Sequence, residues 1–169
     1  MDIRKTTRDE IPGLARFLDD CWRFAYRDIL PCDYLDSLDS DARAKKFLAG
    51  FDGGKTGFLI AVDDDQKDNN IIGAGVYGSS TNPNYSDCGE IMAIYVCHDS
   101  IGTGLGHNMF IQMEDSLKST GYKKIILYVF TENHRAISFY QKHGYITIGQ
   151  DEIELCGGKY PYLIMRKSI

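Results

Sequence analysis

The sequence predicts one mixed α/β domain, a largely antiparallel sheet covered by helices on both faces, and three observations carry that reading. Two runs rich in strand-favouring residues, 58–62 and 71–77, flank the polar stretch 63–70 in the pattern of an antiparallel hairpin with a solvated tip. Beyond residue 100 the chain alternates helical and strand patterns, as βαβ units do. Between these halves, a glycine-rich turn at residues 102–106 joins a strand to an amphipathic helix.

Taken in order, residues 3–6 read as a short first strand, and Thr7-Arg8-Asp9-Glu10 has the spacing of a capping box, which predicts a helix starting there. Leu14, Phe17, Leu18, Cys21, Trp22 and Ala25 recur at helical spacing, so one face packs inward until Pro31 interrupts. Further helix is expected through Tyr34 and Leu35 and again over residues 42–49. After the hairpin, the turn-rich Thr81-Asn82-Pro83-Asn84 leads into a third long strand over residues 88–97. Helix follows at 103–119, strand at 124–130, helix at 134–143, and strands at 145–150 and 160–166 complete the sheet. No internal repeat or linker divides the 169 residues, so a single domain spanning 1–169 is expected.

Composition narrows the partners. A formal net charge of −5 with no cluster of Lys and Arg argues against nucleic acid or an anionic membrane surface. The opening Met1-Asp2-Ile3-Arg4-Lys5 lacks an apolar signal core, and no later apolar run reaches membrane-spanning length, so a cytoplasmic protein is expected. Cys21, Cys32, Cys88, Cys97 and Cys156 are odd in number and contain no CxxC pair, which supports free thiols rather than a disulfide framework or zinc ribbon. His98, His107, His134 and His143 form no HxxxH or Cys/His group, so no metal is expected.

The glycine turn carries the chemistry. Helix N-termini present unpaired amides and the positive end of the macrodipole, and glycines let a phosphate approach the backbone without a Cβ clash. Ile101-Gly102-Thr103-Gly104-Leu105-Gly106 therefore reads as a pyrophosphate cradle, with a glycine-rich strand-to-helix turn that holds no ligand as the other reading. No Gly-Lys-Ser/Thr follows, which excludes a Walker loop. A dinucleotide-binding Rossmann turn fits poorly, because its third glycine should stand where this chain has His107, and because antiparallel hairpins precede the loop.

With Ile94-Tyr95-Val96 before it, Gly102-Thr103-Gly104-Leu105-Gly106 resembles the acetyl-CoA signature of the GNAT superfamily of N-acetyltransferases, usually Gln or Arg, two variable residues, then Gly-x-Gly or Gly-x-Ala. Asn133-His134-Arg135-Ala136-Ile137-Ser138-Phe139-Tyr140-Gln141-Lys142-His143-Gly144-Tyr145 resembles the second signature of the same family, Asn-x-x-Ala-x-x-Phe-Tyr-x-Lys-x-Gly-Phe. The resemblance implies the acyl-CoA N-acyltransferase fold, with its sheet splayed at the cofactor site, and acetyl-CoA as cosubstrate. It implies cofactor contacts from Ile94, Tyr95 and Val96, from Ile101, Gly102, Thr103, Gly104, Leu105, Gly106 and His107, and from Asn133 and Tyr140. One departure is Ile101 at the position usually held by Gln or Arg, which removes a polar side chain; Lys142 near the phosphates is a candidate to compensate, and a solvated helix residue otherwise.

Acetyl transfer from a thioester to an amine requires a deprotonated amine, an aligned thioester, a stabilised oxyanion and a proton for the leaving thiolate. An alkyl ammonium has a pKa of about 10, so a base or water relay is needed at neutral pH. An acid at Glu90, on the strand leading to the loop, resembles the family's base position; a paired or solvent-facing carboxylate is the other reading. Tyr140 is placed by the resemblance to protonate the thiolate, with core packing as the alternative. Asn133 serves a pantetheine amide, the helix N-terminus, or both.

The acceptor is less defined. Trp22 and Tyr26 lie four apart on one helical face, where they wall an acceptor pocket or fill the core. Asp28, Asp33, Asp36, Asp39 and Asp41 favour a small cationic amine, a polyamine, an aminoglycoside-like compound or a peptide amine, unless they are simply a solvated acidic surface. A homodimer is compatible with the sequence. The alternative from another functional class is a module of the same fold that senses acyl-CoA without turnover.

Overall fold

The computed structural model describes residues 1–63 and 70–169, so the expected hairpin tip lies outside the described residues. The described strands are β1 (Asp2–Lys5), β2 (Thr56–Asp63), β3 (Asn70–Ser79), β4 (Gly89–Val96), β5 (Lys124–Phe130), β6 (Ile146–Leu155) and β7 (Gly158–Ser168). The helices are α1 (Ile11–Ala25), α2 (Cys32–Asp36), α3 (Ser40–Asp52), α4 (Leu105–Ser119) and α5 (His134–Lys142). One sheet holds the strands in the order β1-β2-β3-β4-β5-β7-β6.

Period-two alternation decides which side chains face which helices. Phe58, Ile60 and Val62 of β2, with Ala74 and Val76 of β3, pack under α1 and α3. Leu59, Ala61 and Ile72 point the other way, joining Ile91, Ile125, Leu127 and the α4 residues Met109, Phe110 and Met113. The fully buried Asp19 of α1 pairs with Arg43 of α3 and accepts a 2.6 Å bond from Ser40, fastening the two helices. A buried charge without such partners would be strongly destabilising.

All neighbouring strands run antiparallel except β4 and β5, and that pair positions the site. β4 is bonded to β3 from Gly89 to Val96, yet to β5 only at Gly89↔Ile125 and Glu90↔Ile126. Met92 is bulged out of the β3 ladder, because Tyr77 pairs with Ile91 and Val76 with Ala93. A bulge bends and twists its strand, and this one sits where β4 leaves β5. Past Glu90 the edge of β4 that faces β5 is free.

Several boundaries differ from expectation. The capping box forms, with the Thr7 amide donating to Glu10 at 2.8 Å, but residues 8–10 make a 3₁₀ turn and α1 begins at Ile11. α1 ends at Ala25 rather than at Pro31, and Pro31 instead precedes α2, where its fixed φ of −62° suits a helix start. α4 starts at Leu105, because Gly104 adopts φ 90°. β6 and β7 are longer than predicted, joined by Cys156 (φ 49°) and Gly157 (φ 77°) in a two-residue turn of the I′ kind. Residues 151–154 of this edge strand are exposed, so no apolar alternation announces them. Among the described residues no helix is long and apolar enough to cross a membrane.

Candidate active site

Where β4 and β5 part, a cleft of about 1110 Å³ opens. Its vertex lies beyond the last pair, Glu90↔Ile126, and its lining runs along β4 from Ile91 to Val96 and on to the glycine loop. Tyr128, Val129 and Phe130 of β5 form the opposite wall, Asn133 and Tyr140 come from α5, Trp22 and Phe24 from α1 with Tyr26 just after it, and Ile153 and Tyr162 from β6 and β7.

The glycine loop lines the cleft beyond β4. Gly102 (φ 83°) and Gly104 (φ 90°) sit in the left-handed region, and an added Cβ at either would meet nothing within 4 Å, so backbone conformation and not crowding asks for glycine there. Gly106 is different: it lies within α4 with no positive φ, and an added Cβ would meet only Val96 at an ordinary 3.8 Å. Nothing inside the chain requires glycine at a position where alanine favours helix. Leu105 is buried in the core, and the Thr103 hydroxyl donates to the Ser100 carbonyl at 2.8 Å, so these two offer the cleft no side chain.

Along the cleft, the Tyr26 and Tyr95 hydroxyls share a 2.7 Å hydrogen bond, and Tyr26 meets Trp22 and Phe130 edge-on at centroid distances of 4.8 and 5.3 Å. Burial raises the Tyr26 phenol and lifts the Tyr95 phenol well above its ordinary value, with Tyr26 adding to the latter. Tyr140 lines the cleft, tilted against Phe110 at 5.7 Å; burial first, then Tyr26, holds its phenol above the usual range. It is therefore a neutral O–H donor throughout the physiological range. Asn133 caps α5, accepting from the Ala136 amide at 3.2 Å, and still lines the cleft.

A free strand edge ending at a glycine-rich helix start can accept an extended chain with a phosphate terminus. The family described as Acetyltransferase (GNAT) matches residues 16–145. The chain belongs to that family. This GNAT acetyltransferase is 25% identical over 159 residues to the uncharacterized N-acetyltransferase YuaI of Bacillus subtilis (strain 168), covering 92% of this chain and 86% of that one. Its fold matches a ribosomal-protein-alanine N-acetyltransferase from Brucella melitensis (TM-score 0.77, 17% identity, 100% of both chains). It also matches the PaiA N-acetyltransferase of Thermoplasma acidophilum in complex with coenzyme A (TM-score 0.73, 20% identity, 99% and 98% of the chains). A third match is YncA, a putative acetyltransferase from Salmonella typhimurium with its cofactor acetyl-CoA (TM-score 0.75, 16% identity, 99% and 93%).

Besides Thr103 and Leu105, the acetyltransferase places two further sequence candidates, Glu90 and Lys142, off the cleft wall. Glu90 is buried and accepts from the Thr81 amide at 3.0 Å and its hydroxyl at 3.4 Å. It faces the same side of the sheet as Ile126 and Tyr128, because paired strand residues share a face and alternate residues return to it. Tyr128 lines the cleft, and its phenol is raised first by burial and in part by the Glu90 charge. Lys142 is exposed on α5 and is not among the lining residues. Ile94, Tyr95, Val96, Ile101, Gly102, Gly104, Gly106, His107, Asn133, Tyr140, Trp22 and Tyr26 are all brought to the cleft. Of the five aspartates proposed to favour a cation, Asp28 lines it, and Asp39 instead caps α3 through the Asp41 and Ala42 amides.

Met92, Tyr128, Phe130, Ile153 and Tyr162 escaped the sequence reading, as did Arg135 at the start of α5. Arg135 occupies a variable position of the second signature, which was the available signal; the others carry none. Cys21 also lines the cleft, but burial, then Asp20, raises its thiol to about 12, so at neutral pH it is not a thiolate nucleophile. Among the described residues no group of three or more His, Cys, Asp or Glu is arranged to hold a metal ion.

Proposed function

We propose that this acetyltransferase moves an acetyl group from acetyl-CoA to a primary amine by direct attack while both substrates are bound. The observation that carries the reading is the parting of β4 from β5 after Glu90, with the glycine cradle at its open end. The residues fit the cosubstrate. The free edge of β4 at Ile94, Tyr95 and Val96 suits the amides of a pantetheine arm, strand to strand, and the α4 amides beside Gly106 suit a pyrophosphate. Complexes of coenzyme A and acetyl-CoA with proteins of this fold support the assignment.

Acetyl-CoA supplies the activated acetyl group and a thiol leaving group. Tyr140 holds the proton that the thiolate needs: its phenol is neutral and stands in the cleft wall. Glu90 takes the amine's proton through a water, since its carboxylate sits behind the wall and Thr81 occupies one of its oxygens. The un-ionised Cys21 thiol favours direct transfer over an acyl-enzyme. For the acceptor, Asp20, Asp28 and Glu132 at the cleft, offset in part by Arg27 and Arg135, leave a small acidic excess that favours a cation, and the apolar wall of Met92, Tyr128, Ile153 and Tyr162 favours one with a hydrocarbon or aromatic body.

The test follows free thiol release from acetyl-CoA by purified protein across a panel of primary amines. Acetylated amine and thiol in equal amounts are expected. Acetyl-CoA binding with no release on any amine would overturn turnover and leave the sensing module.

A further inference from the structure

At the phosphate end of the cleft, two histidines from different helices meet. His107, the third residue of α4, is exposed and lines the cleft. Its Nδ1 stands 3.3 Å from Nε2 of His143, the residue that ends α5. His143 is half-buried, its ring 4.6 Å from Phe110 and 4.5 Å from Phe139. The hydrogen bond fixes a protonation rule. An N–H···N bridge needs one nitrogen to donate and one to accept, so the pair holds its bridge when neutral or when carrying a single extra proton, but not when both rings are charged. In the singly charged state the outer nitrogens, Nε2 of His107 and Nδ1 of His143, both donate.

The surroundings disfavour a charge on His143 in the absence of a ligand. Burial and the neighbouring His107 hold the His143 imidazole below its ordinary value, with Glu114 of α4 opposing and Lys167 of β7 assisting. Lys167 bonds both oxygens of Glu114 at 2.9 Å, so these two charges largely offset each other. Tyr145, two residues along the chain, is a neutral phenol raised chiefly by burial, and the adjacent Lys142 is exposed to solvent. The balance changes when a pyrophosphate lies on the glycine loop, which contributes no Lys or Arg of its own between Gly102 and His107.

We propose that His107 and His143 act as one cofactor-binding dyad that takes up a proton when the pyrophosphate of the cofactor occupies the glycine loop, so that cofactor affinity is linked to pH. This rests on the acetyl-CoA reading above. His107 donates from Nε2 to the phosphate, and His143 is a positioning residue that shares the added charge through the bridge. The dyad thus supplies the cationic character that Ile101 does not.

The decisive probe is dephospho-CoA, which keeps the pyrophosphate but lacks the 3′-phosphate, a group whose own titration near pH 6 would confuse the count. Calorimetric binding in buffers of differing ionisation enthalpy near neutral pH reads the protons exchanged. Uptake of about half to one proton is expected, with Kd weakening up to about tenfold per pH unit between about pH 6 and pH 8. His107→Gln and His143→Gln should each bind more weakly at low pH and lose most of the uptake. Histidine NMR of the ligand-free wild-type protein provides a readout that no variant can spoil: the 3.3 Å bridge requires the resonances of the two rings to respond to pH together. Binding with no proton uptake, or uptake unchanged in both variants, overturns the dyad while leaving the cofactor assignment standing. No binding of either CoA or dephospho-CoA overturns the cofactor assignment, and the dyad with it.

Discussion

The two ends of the cleft are built differently. At the glycine-loop end the features are chiefly backbone, with the His107–His143 pair beside them: left-handed Gly102 and Gly104, the α4 amides, and the edge of β4 unpaired with β5 lie within residues 94–107. Towards the vertex the walls are side chains collected from far apart, Trp22 and Tyr26 around the end of α1, Tyr128 on β5, Ile153 on β6 and Tyr162 on β7. Backbone recognition constrains a short contiguous run and tolerates few substitutions. A side-chain wall can be rebuilt residue by residue while the fold stays the same. That contrast fits a common donor and a variable acceptor.

The sharpest attempt to break this division is Tyr140→Phe, which sits between the two ends. It removes a proton donor and keeps the ring, so kcat should fall by about 10²–10⁴-fold in a single-turnover assay while acetyl-CoA affinity changes little. Near-parental turnover would make Tyr140 a packing residue. Glu90→Gln should act next most strongly, lowering kcat/KM about 10–100-fold and flattening the acidic limb of its pH profile with cofactor affinity retained. A parental profile would mean that the proton leaves by a route that does not involve Glu90.

Ile153→Asp tests the vertex wall alone. It is 42% exposed, so folding should tolerate the change, and KM for an acceptor with an apolar body should rise about five- to tenfold at constant Kd for acetyl-CoA. A shift in cofactor affinity instead would break the separation of the two ends.

Gly106→Ala should have two effects of opposite sign. Thermal stability of the ligand-free protein should rise by up to about 1 kcal/mol from helix propensity, while affinity for CoA falls several-fold because the new methyl occupies the cradle. A variant that is stabilised with unchanged affinity would remove the pyrophosphate from that position. The smallest effect lies outside the cleft. Arg4, bonded to both Glu10 oxygens at 2.6 and 2.9 Å, and then the Thr7 amide hold the Glu10 carboxyl down at about 2, opposed by partial burial. A depressed carboxyl stabilises the fold above its unfolded value near 4.5, and that contribution is lost as pH falls towards about 2. Glu10→Gln should lower Tm near neutral pH by a few degrees and shrink the difference in Tm between about pH 5 and about pH 3, with cofactor binding unaffected.

By itself the sequence determined the order of strands and helices, the mixed sheet, and the two signatures on which the proposed donor end rests. These depend on local rules: period-two and period-3.6 patterning, the Thr7–Glu10 cap, glycines whose φ must be positive, and two signatures lying within about forty-five consecutive residues. Tertiary structure decided what those rules do not reach. Whether Glu90 faces the cleft or stands behind it depends on the register with Ile126 and on Thr81 folding back over the carboxylate. The Tyr26–Tyr95 bond joins residues 69 apart, and the His107–His143 bridge joins residues 36 apart on two helices. Ile153 and Tyr162 reach the cleft because β7 inserts between β5 and β6, an order that no local pattern records. Side chains that make their contacts across the fold leave no periodic trace in the chain, so only the packed sheet shows which of them share a site.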